Sequence, residues 1–504
     1  MTTTRKKKTA IRTEFGDWQT PLDLARRVCL VASTRISPSM VVEPNCGQGA
    51  FLRAATAAFP QASRFLGLDI NADYVRAASS IENQSLTVLH QDFFTFDWKR
   101  CLSESSGPIL VIGNPPWVTN AELMRMGSRN VPEKSNIHDL NGIDAVTGKS
   151  NFDISEWMLI REVESLRGKD ALLAMLCKTA IARKVIAHAW KNDLPFADAE
   201  IREIDAQRYF DVAVDACLLL VRLQPEADSP DSPCRVFDSL DSEVPSYVLG
   251  LRHGRLASRV DVVDKYSSLI GEKRPLFHWR SGIKHDCSKV MELTREPDGS
   301  FVNGFEERID LEPDIVFPML KSSDLANGKI ESIRRYMLVP QRAIGDDTKF
   351  IALEHSKTWR YLTTHATRLD KRKSTIYRGK PRFSIFGIGE YSFAPWKVAV
   401  SGLYKSLKFR VVGPHEGRPV VLDDTCYFLA FQSEEEASLV KKLLDSPVCG
   451  EILGAFVFWD SKRPITKEIL ALVNLREIAS FLGQEEAFRK TFSRLLSSEQ
   501  TTFF

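Results

Sequence analysis

Val41-Val42-Glu43-Pro44-Asn45-Cys46-Gly47-Gln48-Gly49-Ala50-Phe51 carries more fold information than any other stretch of the chain. An apolar, β-branched run ends in an acid, and a Gly-x-Gly turn then opens a helical pattern. The two glycines permit a sharp turn and a close backbone approach to a ligand. Position 52 is Leu, so the third glycine of a dinucleotide fingerprint is missing. A pyrophosphate seat at the helix start is therefore disfavoured, and Glu43 repels an anion. Asp69 closes the next apolar run, Phe65–Asp69, 20 residues after Gly49. With Ile70 beside it, an acid at that strand tip suits a ribose diol. The third run, Leu86–His90, leads into Asp92 and Phe93, a carboxylate and an aromatic ring able to hold an adenine edge and face. Together these residues favour an adenosine cofactor that is cationic and free of phosphate. S-adenosylmethionine, with its sulfonium and amino group, has that chemistry.

Outward from this stretch, short apolar runs alternate with helical patterns from 20 to 223. Leu110–Gly113, Ala171–Cys177 and Cys217–Leu223 read as further strands, and Ala50–Phe59, Ala72–Ile81 and Ser155–Leu166 as helices. Such alternation predicts an α/β domain with a parallel, Rossmann-like sheet. The run Ile109–Gly113 ends in Asn114-Pro115-Pro116-Trp117. In open α/β sheets the carboxyl ends of strands are where ligands bind. The Asn114 side-chain oxygen and the Pro115 carbonyl can both accept hydrogen bonds from an NH2 group. Drawing the two amine hydrogens into those acceptors exposes the nitrogen lone pair to an electrophile. The flat Trp117 ring can stack on a base.

With these motifs in this order, the chain resembles the amino-methyltransferases, which carry a (D/N/S)-P-P-(Y/F/W) tetrapeptide. More closely it resembles the N6-adenine DNA methyltransferases of restriction–modification systems, in the arrangement that places the cofactor motif first, the tetrapeptide second and target recognition last. The resemblance implies a class I S-adenosylmethionine-dependent sheet followed by a target-recognition domain. Residue by residue, it gives Thr20 and Pro21 to the methionine part of the cofactor. Glu43, Pro44, Cys46, Gly47, Gly49 and Phe51 belong to the cofactor loop. Asp69 and Ile70 fall to the ribose, and Asp92 and Phe93 to the adenine. Asn114, Pro115, Pro116 and Trp117 are implied to be catalytic. Trp117, Phe210 and Phe152 would bound the flipped base. The methyl group would pass directly to N6, with no metal and no covalent enzyme intermediate. Trp at the fourth position also occurs in cytosine-N4 enzymes, usually with Ser in the first; Asn114 draws the reading back towards adenine. RNA bases or protein glutamine stay open as targets, as does a relic fold that only binds DNA.

The 504 residues are 43% apolar and 26% charged, which excludes a mostly disordered chain. No apolar run approaches the ~18–20 residues of a membrane span. Nine cysteines, none spaced as CxxC, read as reduced thiols of a bacterial or archaeal cytosol and not as a zinc site. Net charge is only +3, yet His355–Arg382 holds nine Lys/Arg against the single acid Asp370. A basic strip on a balanced chain suggests a polyanion-facing surface. The expected organisation is a basic tail (1–19), a catalytic domain (20–223), a Pro- and acid-rich linker (224–245) and a mixed α+β domain (246–504) facing duplex DNA. Its expected phosphate contacts are Arg280, Lys284, Arg368, Lys371, Arg372, Lys373, Arg378, Lys380, Arg382, Lys397, Lys405, Lys462 and Arg463. Residues 118–149, polar and weakly periodic, read as a substrate-facing loop. No nuclease constellation is evident, which leaves room for a separate cognate restriction endonuclease.

Overall fold

A computed structural model describes residues 18–118, 153–225, 232–271 and 275–501. Most of the basic tail, the expected loop after Val118 and Phe152 lie outside these residues. The chain forms two compact units, Met1–Val260 and Asp261–Phe504.

The first unit is built on ten strands: β1 (Met40–Glu43), β2 (Arg64–Asp69), β3 (Leu86–His90), β4 (Ile109–Gly113), β5 (Ala171–Lys178), β6 (Asp198–Ile204), β7 (Ala216–Leu223), β8 (Cys234–Phe237), β9 (Tyr247–Arg252) and β10 (Arg255–Ala257). Their order is β10-β9-β8-β6-β7-β5-β4-β1-β2-β3. Strands β1 to β5 pair in parallel, and β7 runs antiparallel to both β5 and β6. The central runs are buried on both faces, as a sheet flanked by helices requires. The helices are α1 (Leu22–Ser33), α2 (Ala50–Ala58), α3 (Ala72–Ser79), α4 (Trp98–Ser103), α5 (Ile154–Ser165), α6 (Thr179–Lys191) and α7 (Ala206–Phe210). The chain leaves β1 towards β2 on one side and returns to β4 on the other. The carboxyl ends of β1 and β4 thus flank the switch point of the sheet, where a crevice forms.

The boundary expected at 224–245 is corrected. Cys234–Phe237 and Tyr247–Arg252 are strands that extend the first sheet, and the unit runs to Val260. Three of the four prolines fall before β8, and Asp238, Asp241 and Glu243 sit in the turn between β8 and β9, where Asp241 pairs with Arg27 at 2.5 Å.

The second unit is mixed α+β. One antiparallel sheet has β11 (Arg280–Ser281), β20 (Cys426–Phe431), β17 (Trp396–Ser401) and β18 (Arg410–Val412), in that order. The other has β14 (Arg308–Ile309), β13 (Phe301–Asn303), β12 (Glu292–Arg295), β16 (Arg335–Leu338), β15 (Val316–Leu320) and β19 (Val421–Leu422). The segment Ala455–Trp459, which reads as a strand, instead holds the last two residues of a helix, Pro447–Phe456, and the irregular chain that follows it. Pro447 at its first turn and the Ser446 cap start that helix, and packing decides the ambiguous apolar run.

Glu312 shows how this unit fixes its helices. Its carboxylate accepts the N–H groups of Lys357 (2.9 Å) and Thr358 (3.0 Å) and the Thr358 hydroxyl (2.7 Å), capping the helix Ser356–Thr364 from outside. Burial alone would raise its pKa; these donors outweigh it and hold the carboxyl down at about 2. The stabilisation is thus complete above the ordinary carboxylate range and fades as pH falls towards 2. Glu312→Ala should lower unfolding stability by about 1 kcal/mol at neutral pH, the size of a lost cap. Urea melts of both proteins should converge as pH falls to about 2.

Candidate active site

The crevice at the carboxyl ends of β1, β2 and β4 holds about 1090 Å³ of open space, its mouth included, enough for a nucleoside-sized ligand. Sequence-expected residues meet there from several distant segments: Thr20, Glu43, Cys46, Gly47, Asp69, Ile70, Asp92, Phe93, Asn114, Pro115 and Pro116.

The loop from β1 to α2 shapes one wall. Gly47 and Gly49 have φ of 48° and 82°, the left-handed region that glycine adopts freely. A Cβ on Gly47 would also lie 2.7 Å from the Gln19 amide, whose oxygen accepts the Gln48 N–H at 3.0 Å. Glu43, 2% exposed, accepts the Leu52 N–H at 3.0 Å in the first turn of α2. Burial pushes its carboxyl well above the ordinary range; the Leu52 N–H works against this, and the like charge of Asp69 adds to it. Asp69 accepts N–H groups from Gly47 and Asn71, both at 2.8 Å, so the loop and the β2 tip are locked together. Asp92 accepts the Phe94 N–H at 2.8 Å. Phe93 is buried, and its carbonyl accepts the Trp98 indole N–H.

Asn114 begins the other wall. Its Nδ2 donates to the Trp18 carbonyl (3.0 Å) and to Thr20 Oγ1 (3.3 Å). A carbonyl can only accept, so the amide is oriented with its oxygen turned the other way. That Oδ1 is buried and has no hydrogen-bond partner among the described residues.

Five expectations need correction or refinement. Pro21 is the N-cap of α1 and Phe51 packs into the core, so neither belongs to the crevice lining, and nor does the buried Pro44. Trp117 and Phe210 are brought together as expected, but in edge-to-face contact, 5.2 Å between centroids and 68° between planes. Both lie in the core cluster, so Phe210 buttresses the indole and does not face it across a gap.

Sequence reading missed Trp18, Gln19, Asn45, Asn71, Tyr74 and Met158 on the walls. Gln19 and Asn45 adjoin recognised motifs and were within reach. Trp18 acts through a backbone carbonyl, which no side-chain pattern reveals.

Among the described lining residues there are three carboxylates, an unpartnered Asn45 oxygen and no cationic side chain. Such a surface suits a cationic ligand without phosphate, and Ile70, Tyr74, Phe93 and Phe94 offer apolar and aromatic surface for a purine. S-adenosylmethionine fits this donor set. Cation binding favours ionised Glu43, so cofactor affinity should rise with pH between the ordinary carboxylate range and the raised pKa of the free site. Calorimetry in buffers of different protonation enthalpy should detect the released proton, and Glu43→Gln should abolish it.

In the second unit, the expected basic residues differ in what engages them. The loop at 281–286 and the segment 371–387 are joined by the Lys284–Phe386 bridge and by Arg372 donating to the carbonyls of His285 (3.1 Å) and Ser384 (2.7 Å). Gly387, at φ 68°, crosses Gly282 so closely that a Cβ would lie 2.3 Å from the Gly282 carbonyl oxygen. Lys371, Lys373, Arg378 and Lys380 are exposed around this junction, with no ion-pair partner among the described residues. Arg280 and Arg368 are exposed and lie over the Tyr391 and Phe305 rings. Lys405 and Lys462 are also exposed. Two residues are corrected. Arg372 is a staple between backbone carbonyls, stacked 3.7 Å from the centre of the Tyr377 ring. Lys397 is 1% exposed and donates to the Ala394 carbonyl at 2.6 Å; burial lowers its pKa to about 7. Lys284, Arg382 and Arg463 are partly engaged by Asp286, Asp370 and Asp424.

A sheet of order 3-2-1-4-5-7-6 with β7 reversed, and a carboxylate-lined crevice at its switch point, define a class I S-adenosylmethionine-dependent methyltransferase. The chain is 41% identical over 474 residues to the type II methyltransferase M.NspV of Nostoc sp., a match covering 93% of this chain and 98% of that protein. It belongs to the type II methyltransferases. Among solved structures, that of the type IIL restriction-modification enzyme MmeI in complex with DNA matches with a TM-score of 0.53 and 13% identity. That match covers 92% of this chain and 66% of MmeI, and it concerns the fold. No protein-family model matches the chain.

Proposed function

We propose that this chain methylates the N6 amine of an adenine flipped out of duplex DNA. The observation that carries the reading is the Asn114 amide: its nitrogen is engaged by Trp18 and Thr20, and its buried oxygen has no partner among the described residues. An exocyclic amine is the donor that such an acceptor suits. Asn114 Oδ1 and the Pro115 carbonyl accept the two amine hydrogens and keep the nitrogen lone pair directed away from them. Trp117 stacks on the base, with Phe210 bracing the indole from its side. S-adenosylmethionine, held by Glu43, Asp69, Asp92 and the Gly47–Gly49 loop, supplies the electrophilic methyl group when bound. The chain's contribution is orientation and preorganised acceptors. Adenine is favoured over cytosine by Asn at the first tetrapeptide position and by the resemblance set out above.

Duplex DNA as substrate is supported by the exposed cations around the 281–286 and 371–387 junction. Membership of the type II methyltransferases, the modification enzymes of restriction–modification systems, supports the same substrate. Host protection beside a separate cognate endonuclease is the corresponding biological role. The substrate class is tested by offering labelled methyl donor with duplex DNA, RNA and bacterial protein in parallel. Label should enter DNA; label confined to RNA or protein overturns the reading.

A further inference from the structure

We infer that Lys178 is a positioning residue for methyl transfer, holding the tetrapeptide loop through its last carbonyl; this rests on the role proposed for Asn114–Trp117. Lys178 is the last residue of β5 and the N-cap of α6, next to the end of β4. Its ammonium lies 2.5 Å from Asp153 Oδ2 and donates to the Trp117 carbonyl at 3.3 Å. Asp153 is buried, and its other oxygen caps α5 by accepting from the Ser155 hydroxyl (2.6 Å) and N–H (3.2 Å). Beside it, the Ile154 N–H donates to the Val118 carbonyl at 2.9 Å. The chain leaving β4 and the chain entering α5 are therefore clasped side by side, and Lys178 bridges the clasp.

The loop needs such outside support. Pro115 and Pro116 have no N–H to donate. The first residue is tethered through the Asn114 amide to Trp18 and Thr20. At the other end, the Trp117 indole nitrogen is buried without a partner among the described residues. Among the described residues, the hydrogen bond from Lys178 is the only one Trp117 makes. Without it, Trp117 itself keeps only the apolar packing of its indole, the next anchor is the Val118 carbonyl on the Ile154 N–H, and the acceptors aimed at the substrate amine lose a fixed reference.

The test uses the full chain with Lys178→Met, Lys178→Arg and Asp153→Asn. Single-turnover methylation of duplex DNA should fall roughly 10- to 100-fold in Lys178→Met, the scale of a misplacement near 1 Å. Cofactor Kd and DNA KM should stay at the wild-type values, and Lys178→Arg should recover most of the rate. Hydrogen exchange should quicken at the Ile154 and Ser155 amides, which bond across the clasp, in Lys178→Met and in Asp153→Asn. An unchanged turnover rate, or unchanged exchange at those amides, overturns the inference. A fall in cofactor affinity matching the fall in rate would also overturn it. If wild-type protein methylates no DNA, the substrate reading fails, and the exchange measurement still decides the role of Lys178.

Discussion

Asn114→Ala should reduce methyl transfer by about 10²- to 10³-fold or more, the range seen when one preorganised polar group is removed from a reacting centre. Two losses combine in this variant. The acceptor for one amine hydrogen disappears, and so does the tether to Trp18 and Thr20 that fixes the start of the loop. Cofactor affinity should change little, because the carboxylates of Glu43, Asp69 and Asp92 are untouched. Equilibrium binding of S-adenosylmethionine beside single-turnover rates separates the two effects. A variant that loses cofactor and rate together would place Asn114 in cofactor binding instead.

Neutralising Lys371, Lys373, Arg378 and Lys380 together should weaken DNA binding steeply at low salt and progressively less as salt rises. Each phosphate contact contributes about 0.9 to the slope of log K against log salt on duplex DNA, so four lost contacts should flatten it by about 3–4. These four side chains are exposed around one loop junction and unpaired among the described residues, which leaves their charges available. Lys397→Met serves as the contrast: its ammonium is buried on the Ala394 carbonyl, so the salt slope should not move. Fluorescence anisotropy across a salt series with one mixed-sequence duplex reads both outcomes. An unchanged slope in the fourfold variant would remove this surface from DNA recognition.

Much of the catalytic half is legible in the sequence because its signals are local. Five of the strands flanking the crevice, Met40–Glu43 to Ala171–Lys178, are short apolar runs bounded by turn residues. The site residues at their tips follow from the same boundaries. Strand β6 escaped notice because Asp198, Glu200 and Arg202 make it look like a surface segment. In the structure Glu200 and Arg202 are buried in a charge network with Arg35 and Arg235. Prolines made β8 look like linker, although they flank the strand and do not interrupt it. In the second unit, Arg372 and Lys397 read as phosphate contacts, since composition does not tell a cation bound to backbone carbonyls from an exposed one. The edge-to-face contact of Trp117 with Phe210, and the Lys178 clasp, depend on residues 25 to 93 positions apart and have no local signature.

The central claim is that the Asn114–Trp117 loop presents its acceptors to the N6 amine of adenine in duplex DNA. Transfer of labelled methyl to mixed-sequence duplex DNA, followed by digestion and separation of the nucleosides, tests it most directly. The account predicts label in N6-methyladenine from wild-type protein and its loss in Asn114→Ala. Label in N4-methylcytosine, or label in N6-methyladenine that survives Asn114→Ala, would contradict it.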